Sequence, residues 1–249
     1  MRRLFIAGET VRDGRIFISG KDNIHYLSVV LRMKQSDSLF VSDGAGKAYG
    51  ARILRIDKNE IELDIESEHQ AEEMYNTFLT LYQGLPKGSK MDDIVRKTSE
   101  LGVFRIVPTL TGRSVPNLKD GAACAKTERW RRIAKEAARQ SMRISIPDVT
   151  GIMGFEDAVA GLRAEGYDLI LVPDELEEGF SLKRALRREK QRDLKKLAVF
   201  IGPEGGFERD ETDSLLREGA SPVSLGETIL RTETAGFATL AMILYELEL

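Results

Sequence analysis

The pattern of hydrophobic and polar positions changes character once along the chain, near residue 70. Before that point, short segments rich in β-branched and aromatic residues alternate with turn residues, which predicts strands. The predicted strands are Leu4–Ala7, Arg15–Ser19, Leu39–Ser42, Ala48–Ile56 and Glu60–Glu66. One helix is predicted among them over Ile24–Leu31, with Asp22 or Asn23 as its N-cap. Together with the hairpin signal Asp43–Gly46, this order predicts a small β-barrel.

From residue 77 onward, apolar strands alternate with amphipathic helices, which predicts an α/β domain with a mostly parallel sheet. The predicted strands are Phe78–Gln83, Arg105–Pro108, Asp168–Val172, Leu197–Gly202 and Val223–Leu225. The predicted helices are Met91–Leu101, Thr127–Met142, Phe155–Ala164, Ser181–Arg188, Glu208–Glu218 and Thr232–Leu247. Ser89 and Thr127 are predicted to cap the first two of these helices. The 249 residues therefore divide into two predicted domains, 1–72 and 73–249, joined by an acidic linker.

Composition narrows the class of protein without changing this division. The chain is 42% hydrophobic and 31% charged, which is typical of a globular protein. Its one cysteine, Cys124, cannot form an internal disulfide, and its apolar runs fall far short of the ~20 residues of a membrane helix. His25 and His69 are too few and too distant for a metal cluster. We therefore expect a soluble, cytoplasmic protein with no metal and no membrane partner.

Two glycine-rich loops are the candidate ligand site. Ile201–Phe207 reads Ile-Gly-Pro-Glu-Gly-Gly-Phe between a buried strand and a helix, where open α/β sheets bind ligands. It lacks the Gly-Lys-Ser/Thr step of a P-loop, and a tight structural turn is the alternative interpretation. The second loop, Leu225–Ala235, combines a glycine with apolar residues that suit an adenine. Thr232 or Thr234 is alternatively predicted to cap the last helix.

The two loops together resemble the paired cofactor loops of the SPOUT class of S-adenosylmethionine-dependent RNA methyltransferases. Further stretches resemble, more narrowly, the bacterial small-subunit rRNA uridine-N3 methyltransferase family, RsmE. They are His25–Met33, Gln83–Met91, Lys97–Pro108 and Arg129–Ser141. One stretch departs from the family pattern, because Arg139 stands where the family usually has Glu and Met142 where it has Gly or Asn.

The resemblance implies both a fold and an activity. The implied fold is a PUA-like β-barrel followed by a SPOUT α/β domain whose chain is threaded into a trefoil knot. The implied activity is methyl transfer from S-adenosylmethionine to N3 of a uridine in 16S rRNA of the small ribosomal subunit, by a homodimer. Two alternatives stay open: a SPOUT enzyme acting on a ribose 2′-hydroxyl, and a non-catalytic RNA-binding or ribosome-assembly factor.

Site residues follow from the two loops and from the chemistry of uridine. The cofactor-binding candidates are Val172, Ile201, Gly202, Pro203, Glu204, Gly205, Gly206, Leu225, Gly226, Ile229, Leu230, Arg231, Thr232 and Ala235. Uridine N3 carries a proton, so catalysis needs a base or cations that stabilise charge on O2 and O4. The candidate cations are Arg3, Arg32, Arg113 and Arg231, and the candidate bases are Glu204 and Glu233. Phosphate binding without catalysis is an equal alternative for Arg3 and Arg32.

The net charge of −3 by itself argues against a nucleic-acid-binding protein, but the charge is distributed unevenly along the chain. Gly84–Ser145 holds 14 Lys and Arg against 6 Asp and Glu, and Phe180–Lys196 holds 8 against 2. Phe200–Leu249 holds 3 against 10. Basic zones of this kind can bind a phosphate backbone despite an acidic total. We predict RNA contact for the Lys87–Arg143 zone and a solvated helix face for Arg184, Arg187 and Arg188.

The last predicted helix carries small and apolar residues on one side. They are Ala235, Ala238, Met242 and Tyr245, with Thr239 and Leu244 adjacent. At this helical spacing most of them are expected to pack into the core.

Overall fold

The computed structural model describes residues 3–6, 11–44, 47–70, 77–114 and 122–248, with the backbone alone described at Arg3 and Gln70. Predictions that fall on Ala7, on Gly46 and on most of the linker therefore lie outside the described residues. The chain separates into two compact units. The described residues up to 70 group with Ala138–Ile146, and the remaining ones form the second unit.

The first unit is a six-stranded sheet. Its strands are β1 (Arg3–Phe5), β2 (Val11–Arg12), β3 (Arg15–Ser19), β4 (Ser38–Ser42), β5 (Lys47–Ile56) and β6 (Glu60–Gln70). Their spatial order is β1-β4-β5-β6-β3-β2, and all neighbours are antiparallel except β1 and β4. Alternate residues such as Ile16, Ile18, Leu39 and Val41 are buried, as a strand with one face on a core requires. The predicted β-rich first domain is confirmed.

The helical segment of this unit differs from the prediction. Helix α1 covers Lys21–His25, and a π-helical turn continues it over Tyr26–Val30. Its N-cap is Gly20 and no side chain caps it, so the prediction of an Asp22 or Asn23 cap is wrong. Gly20 has φ +100°, a conformation open to glycine, which turns the chain directly from β3 into the helix.

Residues 138–146 pack within the first unit, although the first three of them are the end of a helix, residues 122–140, whose earlier part belongs to the second unit. The Ser42 hydroxyl donates a hydrogen bond to the Ile144 carbonyl at 2.7 Å. The Arg139 guanidinium lies 3.8 Å from the ring centroid of Tyr26, so the residue that departs from the family pattern makes a cation–π contact. Arg143 is only 4% exposed, which removes it from the zone predicted to contact RNA.

The second unit is a parallel sheet with helices. Its strands are β7 (Phe78–Gly84), β8 (Arg105–Leu110), β9 (Asp148–Val149), β10 (Met153–Gly154), β11 (Leu169–Pro173), β12 (Lys196–Ile201) and β13 (Ser221–Val223). The helices are α2 (Lys90–Glu100), α3 (Ala122–Gln140), α4 (Phe155–Glu165), α5 (Leu182–Glu189), α6 (Arg209–Arg217) and α7 (Thr232–Leu247). The strand order is β10-β8-β7-β12-β11-β13, with β9 beside β8.

Both faces of this sheet are buried, which explains its continuous apolar strands. Leu197 and Val199 of β12 pack into one core cluster, and the alternate residues Ala198 and Phe200 pack into another. The predicted parallel α/β domain is confirmed. Within the described ranges, no helix combines the length and the apolar character needed to cross a bilayer.

Two details of the α/β unit differ from the prediction. Helix α3 begins at Ala122, and the Thr127 hydroxyl donates to the Ala123 carbonyl at 3.0 Å inside it, so the Thr127 cap is wrong. Alanine is the strongest helix former, and the alanines before Thr127 extend the helix backwards. Ser89 does stand at the N-cap of α2, but its side chain accepts no capping hydrogen bond. Strands β9 and β10 have two residues each and carry no periodic signal.

Candidate functional site

A cleft of about 780 Å³ opens at the carboxyl ends of β11, β12 and β13. Its walls are residues 173–176 after β11, 201–207 after β12 and 224–232 after β13, together with Lys90, Arg113, Arg209, Thr212, Asp213 and Ala235. Strand β12 lies between β7 and β11, which are far apart in sequence. Crevices of this kind at the carboxyl edge are where α/β sheets bind ligands.

The first glycine-rich loop is held by the chain segments beside it. The Glu204 carboxylate accepts hydrogen bonds from Lys90 Nζ at 2.8 Å and from the Lys87 peptide N–H at 3.1 Å. The Arg113 guanidinium donates to the Gly205 carbonyl at 2.6 Å. A Cβ built on Gly84 would stand 2.6 Å from Pro203 Cδ, so the end of β7 is in direct contact with the loop.

Glu204 and Lys90 form an ion pair whose electrostatics decide the role of Glu204. Burial raises the pKa of Glu204, but the hydrogen bonds from Lys90 and from peptide N–H groups outweigh it and lower the pKa overall. The hydrogen bond to Glu204 raises the pKa of Lys90. Both groups are therefore charged at neutral pH, and the Glu204 carboxylate fits an anchor for the loop better than a proton acceptor. Lys90 Nζ also lies 3.5 Å from Glu233 Oε2.

Thr232 links the two loops instead of capping the last helix. Helix α7 has Arg231 at its N-cap and no side-chain capping bond, so the cap predictions for Thr232 and Thr234 are wrong. The Thr232 hydroxyl donates to the Gly202 carbonyl at 2.7 Å and accepts from Gln83 Nε2 at 2.9 Å. It is drawn into the sheet because Gln83, at the end of β7, is fully buried and needs a polar partner.

The second loop presents apolar surface and backbone donors to the cleft. Gly226 has φ +131°, which L side chains rarely adopt. Ile229 is 77% exposed, and Leu225 and Leu230 are partly buried. No hydrogen bond among the described residues uses the peptide N–H groups of Ile229 and Leu230. An apolar wall with available peptide donors is suited to a flat heterocycle.

Comparison with known proteins places the whole chain in one family. Residues 73–244 match the RNA methyltransferase domain family, and residues 18–66 match the RNA methyltransferase PUA domain. Over 253 residues the chain is 30% identical to ribosomal RNA small subunit methyltransferase E of Bacillus subtilis, covering 100% of this chain and 98% of that protein. The chain belongs to the ribosomal RNA small subunit methyltransferase E family.

Other members of the methyltransferase E family agree with this assignment. The Aquifex aeolicus member is 33% identical over 229 residues, covering 90% of this chain and 92% of that protein. The crystal structure of the Neisseria gonorrhoeae member, bound to S-adenosyl methionine, superposes with a TM-score of 0.82 at 28% identity. That superposition covers 98% of this chain and 97% of the other.

The methyltransferase E fold brings nearly all predicted cofactor residues to one cleft. Every one of them lines it except Val172, which is buried in the core while the next residue, Pro173, lines the wall. Of the catalytic candidates, Arg113, Glu204 and Arg231 line the same cleft.

Of the three remaining catalytic candidates of this methyltransferase E chain, Glu233 lies beside Lys90 without lining the cleft, and Arg3 and Arg32 belong to the first unit. Arg32 has φ +50°, and the side chain of Arg3 lies outside the described residues. Two functional residues were not predicted although both lie in the Gln83–Met91 stretch: Lys90, which lines the cleft, and Gln83, which is buried and bonds the Thr232 hydroxyl. Among the described side chains, no group of three or more His, Cys, Asp or Glu is arranged to hold a metal ion.

Proposed function

We propose that this protein transfers a methyl group from S-adenosylmethionine to N3 of a uridine in 16S rRNA, in the cytoplasm. The proposal rests on the cleft that both glycine-rich loops form at the carboxyl edge of the sheet, in a chain that matches its family from end to end. Residues 1–72 are assigned to a PUA-like RNA-binding domain and residues 73–249 to a SPOUT S-adenosylmethionine-dependent methyltransferase domain.

The residues of the cleft fit S-adenosylmethionine. A volume of about 780 Å³ is within the range of small-molecule sites. Leu225, Ile229 and Leu230 provide an apolar wall for adenine, and Asp174 and Glu175 provide acceptors for ribose hydroxyls. When bound, S-adenosylmethionine supplies an electrophilic methyl group on a sulfonium sulfur.

Arg231 is the residue best placed to activate the uridine. Its side chain is exposed, lines the cleft and has no carboxylate within ion-pair distance in the described part of the chain. It stands at the N-terminus of α7, where the helix dipole adds positive potential. We assign its guanidinium to the negative charge that develops on O2 or O4 as the N3 proton leaves.

Three other charged residues of the cleft, Arg113, Glu204 and Lys90, hold its first loop in place. Arg113 is engaged with the Gly205 carbonyl and Glu204 with Lys90, so both position the first loop. Arg3 and Arg32 stay predictions, as phosphate ligands or as further cations.

Nucleoside mass spectrometry of small-subunit rRNA tests the activity. In a strain lacking this protein, N3-methyluridine is expected to disappear from 16S rRNA and to return when the wild-type gene is restored. Other methylated nucleosides serve as internal controls. Persistence of N3-methyluridine contradicts the proposal, and isothermal titration without heat of S-adenosylmethionine binding would favour a non-catalytic RNA-binding factor.

We further propose that the protein is a homodimer through helix α7. Met242 and Tyr245 belong to the helix face of which most was expected in the core, but they are 41% and 85% exposed, and Phe237, five residues before Met242, is exposed as well. Ala235, Thr239 and Leu244 are buried as expected. An exposed apolar helix face of this kind is typical of a protein interface.

Sedimentation equilibrium tests the dimer. The variant Met242→Glu/Tyr245→Glu is expected to sediment as a monomer at micromolar concentration, because charges on both sides of a buried interface are costly to desolvate. Leu216→Glu changes an exposed leucine of α6 and is the control that should leave the mass unchanged. A wild-type protein that sediments only as a monomer contradicts the proposal.

A further inference from the structure

Helix α5 carries a second surface, separate from the cofactor cleft. Its residues are Ser181, Lys183, Arg184, Arg187 and Arg188, and they border a shallow, open hollow of about 440 Å³. We call these residues the α5 basic surface. The opposite side of the helix is buried through Leu182, Ala185 and Leu186. The charged face is therefore fixed toward solvent by the packing of the apolar one.

The charges of this surface are only partly neutralised by the protein. Arg187 Nε donates to Glu246 at 3.0 Å. Within the described ranges, no carboxylate lies within 4.0 Å of the side-chain nitrogens of Lys183, Arg184 or Arg188. A helix face kept only for solubility usually carries mixed charges with i,i+4 partners. Three uncompensated cations on two turns favour an anionic partner.

An aromatic ring organises two of these cations. The guanidinium carbon of Arg188 is 4.7 Å from the ring centroid of Phe180, and that of Arg184 is 5.8 Å from it. Stacking on the ring restricts both side chains before a partner binds, which lowers the entropic cost of binding. Guanidinium groups bind phosphate oxygens in a bidentate manner, and aromatic rings beside cations are typical of nucleic-acid strands.

The α5 basic surface begins at the wall of the cofactor cleft. The Ser224 peptide N–H donates to the Phe180 carbonyl at 2.9 Å, and the Leu182 N–H donates to the Ser224 carbonyl at 2.9 Å. Ser224 itself lines the cleft. An RNA strand with one nucleotide in the cleft can therefore reach the α5 basic surface at the start of α5.

We infer that the α5 basic surface binds the phosphate backbone of the substrate RNA beside the nucleotide that enters the cleft. The identity of that RNA rests on the proposed function. In this proposal Lys183, Arg184 and Arg188 make the phosphate contacts, whereas the sequence predicted a solvated helix face for Arg184, Arg187 and Arg188.

Filter binding of a 16S rRNA transcript at several salt concentrations tests the inference. The variant Lys183→Gln/Arg184→Gln/Arg188→Gln is expected to bind about tenfold more weakly near physiological salt. The slope of log K against log salt concentration should become shallower by about 2 to 3, because each lost phosphate contact removes about 0.7–0.9. The Kd for S-adenosylmethionine should not change.

A matched variant separates local contacts from overall charge. Arg163→Gln/Lys195→Gln/Arg217→Gln removes the same charge at positions outside the Lys87–Arg143 zone and the α5 basic surface: Arg163 and Lys195 pair with Glu218 and Asp193, and Arg217 bonds the Asp213 carbonyl and the Ser214 hydroxyl. It should bind RNA nearly as the wild type does. Equal affinity and slope in both variants overturn the inference. The inference is also overturned if the α5 variant loses binding to phosphatidylglycerol vesicles while its RNA binding is unchanged. If wild type methylates no small-subunit rRNA while the α5 variant still loses RNA affinity, the proposed activity fails and the surface stands.

Discussion

Arg231→Ala is expected to lower kcat for methyl transfer by roughly 10²–10³-fold, the usual cost of removing one group that stabilises transition-state charge. The Arg231 guanidinium lines the cleft and has no carboxylate partner within the described chain. Its positive charge is therefore not neutralised by any described residue. Its removal should therefore leave the thermal midpoint unchanged. Single-turnover methylation of small-subunit particles, with S-adenosylmethionine affinity measured alongside, checks the result.

Two further variants test whether the loss of rate is specific to the guanidinium of Arg231. Arg217→Ala removes an arginine whose guanidinium, among the described residues, bonds only its own helix, at the Asp213 carbonyl and the Ser214 hydroxyl, and it should retain the wild-type rate. Arg231→Lys keeps the charge but loses the planar fork, and it should recover part of the rate. A rate near that of wild type for Arg231→Ala rules out its proposed role.

The fold was largely predictable because its determinants are local in sequence. Strands β7 and β12 are buried at nearly every position, and β12 is apolar from Leu197 to Ile201, which is the pattern of a strand covered on both faces. In β3 the buried residues alternate, which is the pattern of a strand with one covered face. The loops after β12 and β13 could be recognised because glycine spacing is also a local signal. The trefoil threading implied by the resemblance stays a prediction.

The parts that were not predictable depend on contacts between distant positions. Thr232 looked like a helix cap because threonine at a helix start is usually one, yet its hydroxyl bonds Gly202 and Gln83, 30 and 149 positions away. Lys90 pairs with Glu204 across 114 positions. The packing of residues 138–146 within the first unit likewise has no local signature. One sequence reveals which residues are polar, but only the fold decides which of them meet.

Gly84→Ala is expected to reduce S-adenosylmethionine affinity about tenfold or more and to destabilise the protein by about 1–3 kcal/mol, as overpacking commonly does. The added Cβ would meet Pro203 Cδ at 2.6 Å and the Pro203 nitrogen at 2.7 Å. Proline has a rigid ring and the second contact is backbone, so no flexible side chain can move aside. Either the end of β7 or the first loop must shift, and the loop forms one wall of the cleft. Isothermal titration and urea unfolding measure the two effects.

Gly151→Ala is the matched control for this substitution, since a Cβ there meets nothing within 4 Å and the backbone is not in the left-handed region. It should leave both affinity and stability near those of wild type. A Gly84→Ala protein that is destabilised but binds S-adenosylmethionine normally would mean that β7 yields and the loop does not. Unchanged affinity would therefore contradict the claim that the contact between Gly84 and Pro203 sets the shape of the cofactor cleft.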